Sequence, residues 1–518
     1  MPETIALSLV SHTNVGKTTL ARTLLGRDVG EVRDAPHVTE FNDAHELLRT
    51  DDGDVLTLWD TPGFGDSVRL LRRLRQSANP MGWFLSQVWD RWRDRPFWAA
   101  QQVLRHVRDS SDALLYLVNA AEPPAAAAYV AAEMELLTWV GKPVLVLLNQ
   151  LGPPRAGTAE AADLRVWTDH LRTWPLVRAV LPLDAFARCW VQEAALWQAV
   201  HDALPPDRQP AMAALQQAWA RRNEAVFDAA MQALADGVAR LALLREPIEA
   251  PPGVKGWLQQ AGSALGLRGD AGGPLQDAQA RLSQRIAREL QAGTDRLLQI
   301  HHLAGSAAPL VLQRVAEQVQ ARHHVAEDRA AWLGGLVSGA LGGLAADLAA
   351  GGLTLGGGML AGGLIGALGG AGVARGLNVV RGTDRSWLAL DDGALTPLLQ
   401  AALLRYLAVA HFGRGRGNWS EGEAPPHWAE VVQGALDEQA AALQAAWAGR
   451  KSAAGAPADR GRDRDRDGGP DRNGSPDAEV TALAARLAPL LARAARRSLA
   501  LLYPAAAPVA APAQAQPS

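Results

Sequence analysis

Two observations predict an α/β domain with a doubly wound, mostly parallel sheet, followed by a mainly α-helical domain. The first is a series of short apolar runs alternating with helical stretches in residues 1–200. The second is the loop Ser11-His12-Thr13-Asn14-Val15-Gly16-Lys17-Thr18-Thr19, set between the apolar run Ile5 to Val10 and the helical run Leu20 to Leu25. From about Pro210 the apolar spacing becomes helical and strand signals become scarce.

The loop comes first because its chemistry is the most specific. A strand, a tight turn ending in Gly-Lys-Thr and then a helix make a phosphate-binding (P-loop) arrangement. Backbone N–H groups of such a loop curl around phosphate oxygens, and the helix N-terminus adds its dipole. In that reading Lys17 reaches the β- and γ-phosphates and the Thr18 hydroxyl binds Mg²⁺. Ser11 stands where the pattern usually opens with glycine.

Composition sets outer bounds. A chain of 518 residues accommodates two to four domains. A hydrophobic content of 48% supports an ample core, and a net charge of −3 gives no electrostatic case for nucleic acid. The single Cys189 excludes an intramolecular disulfide and fits a reducing compartment. No basic segment precedes the first apolar run, so that run reads as a buried strand and the expected location is the cytoplasm.

The polar segment Asp28 to Asn42 contains Thr39, which would close over Mg²⁺ and the γ-phosphate as a switch threonine. Glu46 to Thr50 and Val55 to Trp59, separated by Asp51-Asp52-Gly53-Asp54, read as a β-hairpin. Its second strand runs into Asp60-Thr61-Pro62-Gly63-Phe64. An Asp about forty residues after a P-loop, with Gly three positions on, can hold the Mg²⁺ shell and sense the γ-phosphate through the Gly63 N–H. Phe64 cannot orient an attacking water. The Arg- and Trp-rich stretch that follows, with Trp83, Trp89 and Trp92, has the make-up of a nucleic-acid or membrane face, but Asp90 and Asp94 dilute its charge and favour helix surface with buried packing anchors. Ala113 to Val118, Val144 to Leu148 and Val177 to Leu183 are continuous apolar strands, with a helix over Tyr129 to Val140. Strands apolar on both faces belong to a parallel sheet covered on both sides, with the ligand at the strand C-termini.

Residues up to about 190 resemble the G domain of the bacterial Era/TrmE-like GTPases, on the motifs Asn14-Val15-Gly16-Lys17-Thr18-Thr19, Asp60-Thr61-Pro62-Gly63 and a strand ending in Asn149. The remaining chain looks like an uncharacterised bacterial family that carries such a domain ahead of a helical region. The resemblance implies a switch that hydrolyses GTP to GDP and phosphate, with Lys17, Thr39 and Gly63 acting on the phosphates. It implies nucleotide binding by Asn14 to Thr19 and Asn149, and Mg²⁺ at Thr18, Thr39 and Asp60. It also implies K⁺ at Asn14, because similar GTPases with an apolar residue at the Phe64 position use that ion. The family's base-reading Asn-Lys-x-Asp is here Asn149-Gln150-Leu151-Gly152, which lacks the guanine-reading carboxylate. The usual Ser-Ala pair after the last strand is here Asp184-Ala185. Either Ala185 keeps its backbone contact and Asp184 supplies the displaced carboxylate, or Asp184 caps the following turn.

Beyond the G domain (1–200), helical segments are expected at 201–332 and 376–450. The histidine pairs His301-His302 and His323-His324 lack metal-ligand spacing. Residues 333–375 carry no charge but Asp347 and Arg375, with glycines recurring every four positions from Gly358 to Gly370. Two readings stand: a membrane-inserting hairpin, which would put the protein on the inner-membrane surface, and a buried glycine-zipper pair. Residues 451–478, with alternating Arg and Asp, read as a disordered linker. Residues 479–503 read as an amphipathic helix that docks on the bundle or lies on a membrane, and 504–518 as a disordered tail.

Overall fold

The computed structural model describes residues 2–26, 43–76, 82, 95–151, 157–185, 189–248, 274–302, 377–381, 386–390, 392–411, 426–453 and 476–504. Two compact units emerge: Met1–Ala225 with Ala410–Gly422 and Leu502–Ser518, and Val226–Val409 with Glu423–Leu501.

In the first unit the chain runs β1 (Thr4–Ser11), α1 (Lys17–Leu25), β2 (Asp43–Arg49), β3 (Val55–Asp60), α2 (Ser67–Leu74), α3 (Arg95–Ser110) and β4 (Ala113–Asn119). It continues through α4 (Ala128–Val140), β5 (Val144–Asn149), α5 (Gly157–Leu171), β6 (Val177–Pro182) and α6 (Trp190–Ala203) to the long α7 (Gln209–Leu243). The six strands form one sheet in the order β2-β3-β1-β4-β5-β6. β1 lies parallel between β3 and β4, with Leu9 opposite Asp60 and Ser11 opposite Leu117. Only β2 runs antiparallel, against β3. Their hairpin closes on Gly53 in left-handed backbone (φ 95°), with the Gly53 N–H donating to Thr50 O at 3.0 Å.

Alternation along each strand divides the core. Val10, Tyr116, Val118, Val146 and Leu148 face the side covered by α2, α3 and α4. Leu7, Leu9, Leu115, Leu117 and Leu147 face α1, α6 and the start of α7, where Met212, Leu215 and Trp219 join them. Burial on both faces is why β4 and β5 read as unbroken apolar runs. The start of β1 is tied down by polar contacts: Asp112 accepts from the Ala6 N–H at 2.8 Å and from Arg208 Nη2 at 2.9 Å.

The second unit is mainly helical, as expected, with a small sheet that the sequence did not announce. It contains β7 (Arg245–Ile248), β8 (Leu377–Arg381) and β9 (Ser386–Leu390), an antiparallel sheet in the order β7-β9-β8. Trp387, expected in a helix, lies in β9 opposite Pro247. Runs of four and five residues, one of them interrupted by proline, are too short to show a period of two. Helices α8 (Pro274–Ile300), α9 (Asp392–His411), α10 (Pro426–Asp437), α11 (Ala440–Ala453) and α12 (Pro476–Leu502) complete the described elements. Buried Glu246 joins β7 to α8 through Arg281 at 2.7 Å and Arg285 at 3.0 Å. The apolar face of α12, including Leu483, Leu487, Leu491 and Leu499, is buried. Its arginines reach protein groups: Arg493 donates to Gln439 at 3.1 Å, Arg497 to Glu438 at 3.1 Å, and Arg496 lies over the Phe227 ring. This helix therefore docks on the bundle.

Among the described residues no helix is long and apolar enough to cross a membrane. The Gly-rich stretch 333–375, Trp83, Trp89, Trp92 and His323-His324 lie outside the described residues.

Candidate nucleotide-binding site

The loops leaving β1, β3, β5 and β6 converge at one end of the sheet, where a doubly wound fold binds its ligand. The loop after β1 turns on two left-handed residues, Asn14 (φ 64°) and Gly16 (φ 95°). Asparagine tolerates that region better than other side chains; at Gly16 a Cβ would lie 2.7 Å from Asn149 Nδ2. Gly16 caps α1, and its carbonyl accepts from the Leu20 N–H at 3.0 Å. The first turn of α1 starts directly from this loop, the arrangement in which a helix N-terminus offers backbone N–H groups to phosphate.

Lys17 is nearly buried, and its Nζ donates to Ser11 Oγ at 2.9 Å and to His12 O at 3.4 Å. Burial pushes the ammonium down from its usual range, against the opposing pull of Asp60 and Glu133. Thr18 Oγ1 donates to Asp60 Oδ2 at 2.6 Å, which brings two hard oxygen groups together at the head of α1. Val15 and Thr19 are buried beside them.

The segment after β3 is strapped to the same loop. The Phe64 N–H donates to Ser11 O at 2.9 Å and the Thr13 N–H to Phe64 O at 3.2 Å. Gly63 passes so close that a Cβ would lie 2.9 Å from Thr13 Cα and 3.1 Å from Lys17 Nζ. Phe64 itself is fully buried in the core with Leu70 and Leu71, away from any role in placing water.

On the other side Asn149 acts as a clamp. Its Nδ2 donates to Val15 O at 2.7 Å, and its Oδ1 accepts from the Ala185 N–H at 2.8 Å. The Ala185 carbonyl accepts from Thr23 Oγ1 at 2.8 Å. Asp184 accepts from the Leu151 N–H at 2.9 Å and so braces the loop that leaves β5. Asn149, Asp184 and Ala185 are all buried. Thr39 and Gly152 lie outside the described residues.

Sequence reasoning did not single out His12, Glu133 or Tyr116, which the fold brings together behind the loop. His12 Nδ1 donates to Glu133 Oε1 at 2.8 Å and the Tyr116 hydroxyl to Glu133 Oε2 at 2.6 Å. The signal available was weak: Glu133 stands among Val130, Met134, Leu136 and Leu137, but Glu135 shares the same run, so neither carboxylate marks itself as the buried one.

This fold and this loop define a P-loop GTPase domain, and residues 6–150 match the family described as 50S ribosome-binding GTPase. The chain as a whole belongs to the family described as "Domain of unknown function (DUF3482)", which matches residues 176–467, over half of its length. Among solved structures, Era in complex with MgGDPNP and a segment of 16S ribosomal RNA is similar at 16% identity and a TM-score of 0.29, over 40% of this chain and 58% of that one. An Era variant from Aquifex aeolicus bound to GDP and aluminium fluoride is similar at 15% identity and a TM-score of 0.28, over 58% of this chain and 99% of that one. No curated protein matches the chain.

Proposed function

We propose that this protein is a molecular switch that hydrolyses GTP to GDP and phosphate in residues 1–200, with the helical segments 201–332 and 376–450 as its output domain. One observation carries the reading: the Lys17 ammonium, the Thr18–Asp60 pair and the Asn149 clamp converge on a single loop. Lys17 offsets charge on the β- and γ-phosphates, and the backbone of Asn14 to Thr19 cradles them. The Thr18 hydroxyl and the Asp60 carboxylate are the oxygen donors that suit Mg²⁺, with Thr39 as a further ligand once nucleotide is bound. That ion, when bound, neutralises charge on the transferring phosphoryl group. The Gly63 N–H reports on the γ-phosphate.

With Phe64 in the core, no side chain at that position can orient water. Asn14, on left-handed backbone in the loop, is the group we assign to K⁺ as its replacement. A nucleotide-binding scaffold with little turnover is the second reading, favoured by the same burial of Phe64. Asp184 carries a carboxylate next to Ala185 at the loop that leaves β5, and it is the group we assign to the base.

Multiple-turnover phosphate release from GTP with Mg²⁺, in K⁺ and in Na⁺ at equal ionic strength, tests these readings together. Sustained release, faster in K⁺ and lost in a folded Lys17→Ala variant, is expected. Tight binding with no sustained release supports the scaffold; release that survives Lys17→Ala overturns the loop assignment.

A further inference from the structure

Behind the phosphate loop lies a group of ionisable side chains that the reading above does not use. Glu133, in α4, is wholly buried (0% exposed). Both its oxygens are engaged, one by His12 Nδ1 at 2.8 Å and the other by the Tyr116 hydroxyl at 2.6 Å. The His12 ring also lies against Tyr129, with centroids 4.5 Å apart and planes 25° apart. Tyr129 and Glu133 are one helical turn apart, so α4 holds the ring from two directions. His12 directly follows Ser11, and its carbonyl accepts from both Lys17 Nζ and the Ser11 hydroxyl.

A carboxylate removed from water carries a large desolvation cost, and an aliphatic side chain on this face of α4 would avoid it. What the carboxylate provides, and a leucine would not, is a directed bond to the loop. The side-chain bonds then hold the loop at His12 from α4 and at Val15 from Asn149, in addition to the backbone bonds from Phe64 at Ser11 and Thr13. Thr13 and Asn14 lie between those points in the chain.

We propose that Glu133 is a positioning residue for the phosphate-binding loop: acting through the His12 ring, it holds the loop in the shape that receives the nucleotide phosphates. The proposal rests on the nucleotide-site reading and adds a regulatory lever to it, because any displacement of α4 is transmitted to the loop. The opposite face of the lever is already coupled, since Arg75, just after α2, forms an ion pair with Glu135 of α4.

The test measures the affinity of the full-length protein for a fluorescent GDP analogue, together with its melting temperature. Glu133→Ala and His12→Ala each weaken binding about tenfold, and the double variant is no weaker than either single one. Glu133→Gln stays within about threefold of the parent, because an amide can accept from Tyr116 and pair with the imidazole. Tyr116→Phe lowers the melting temperature and leaves affinity within about threefold, since it removes only the core side of the pair. Losses that multiply in the double variant, or Glu133→Gln binding as poorly as His12→Ala, overturn the proposal even where Glu133→Ala does not fold. Parent protein and Lys17→Ala that are alike in failing to bind overturn the nucleotide-site reading instead.

Discussion

Asn149 shows how much one side chain in this site is asked to do. Its amide joins the phosphate loop to the loop after β6, with both partners buried. Removing it leaves the Val15 carbonyl and the Ala185 N–H without that partner, at about 1–3 kcal/mol each. Asn149→Ala is therefore expected to lower the melting temperature and the nucleotide affinity together. A loss of affinity with unchanged melting would mean that Asn149 serves the base alone. Lys17, Thr18, Asp60 and Asn149 were legible in the sequence because each sits at the end of a strand or the start of a helix in a motif of fixed spacing. The His12–Glu133 bond was not legible: its partners are 121 residues apart, and nothing local to either announces the other. Asp184 was legible as a candidate only, because backbone acceptance from Leu151 and base recognition ask for the same carboxylate.

Elements were legible where burial is two-sided. β4 and β5 are apolar at nearly every position, so their sequences could be nothing but interior strands. The second sheet was missed because its strands draw their stability from partners distant in sequence rather than from local pattern. Helix α8 carries a testable consequence of packing at its C-terminal end. His301 follows it, and burial together with neighbouring His302 pushes its imidazole down to about 4. The folded protein therefore stays unprotonated at His301 while the unfolded chain takes up a proton between about pH 6.5 and 4. Stability from this group is present above that window and is lost as pH falls through it. Melting temperatures recorded from pH 7 to 4.5 should fall less steeply for His301→Gln than for the parent protein. Parallel curves would show that the ring carries no linkage.

At the scale of the whole molecule, the N-terminal domain follows from one motif and a strand–helix alternation, whereas the rest of the chain offers periodicity without chemistry. The docked α12 already accounts for the basic amphipathic helix at 479–503, whose alternative reading is a helix on a membrane. For residues 333–375 we propose membrane contact on the ground of their near absence of charge. Flotation of the full-length protein with liposomes, compared with a deletion of 333–374, checks this. Flotation that the deletion abolishes is expected, and a full-length protein that stays at the bottom of the gradient rejects it.

The pairing of β7 with β9 has a consequence in time. Ile248 lies opposite Ser386, so β7 leaves the ribosome about 140 residues before its neighbour exists. At typical elongation rates that delay is about 7–30 s, long compared with the folding of the sheet that carries the nucleotide site. The six-stranded sheet of residues 4–182 is therefore complete while Arg245 to Ile248 still present unpaired backbone. A chain stopped before Ser386 would lack every partner of β7 and carry Arg245 to Ile248 as an adhesive, unpaired strand.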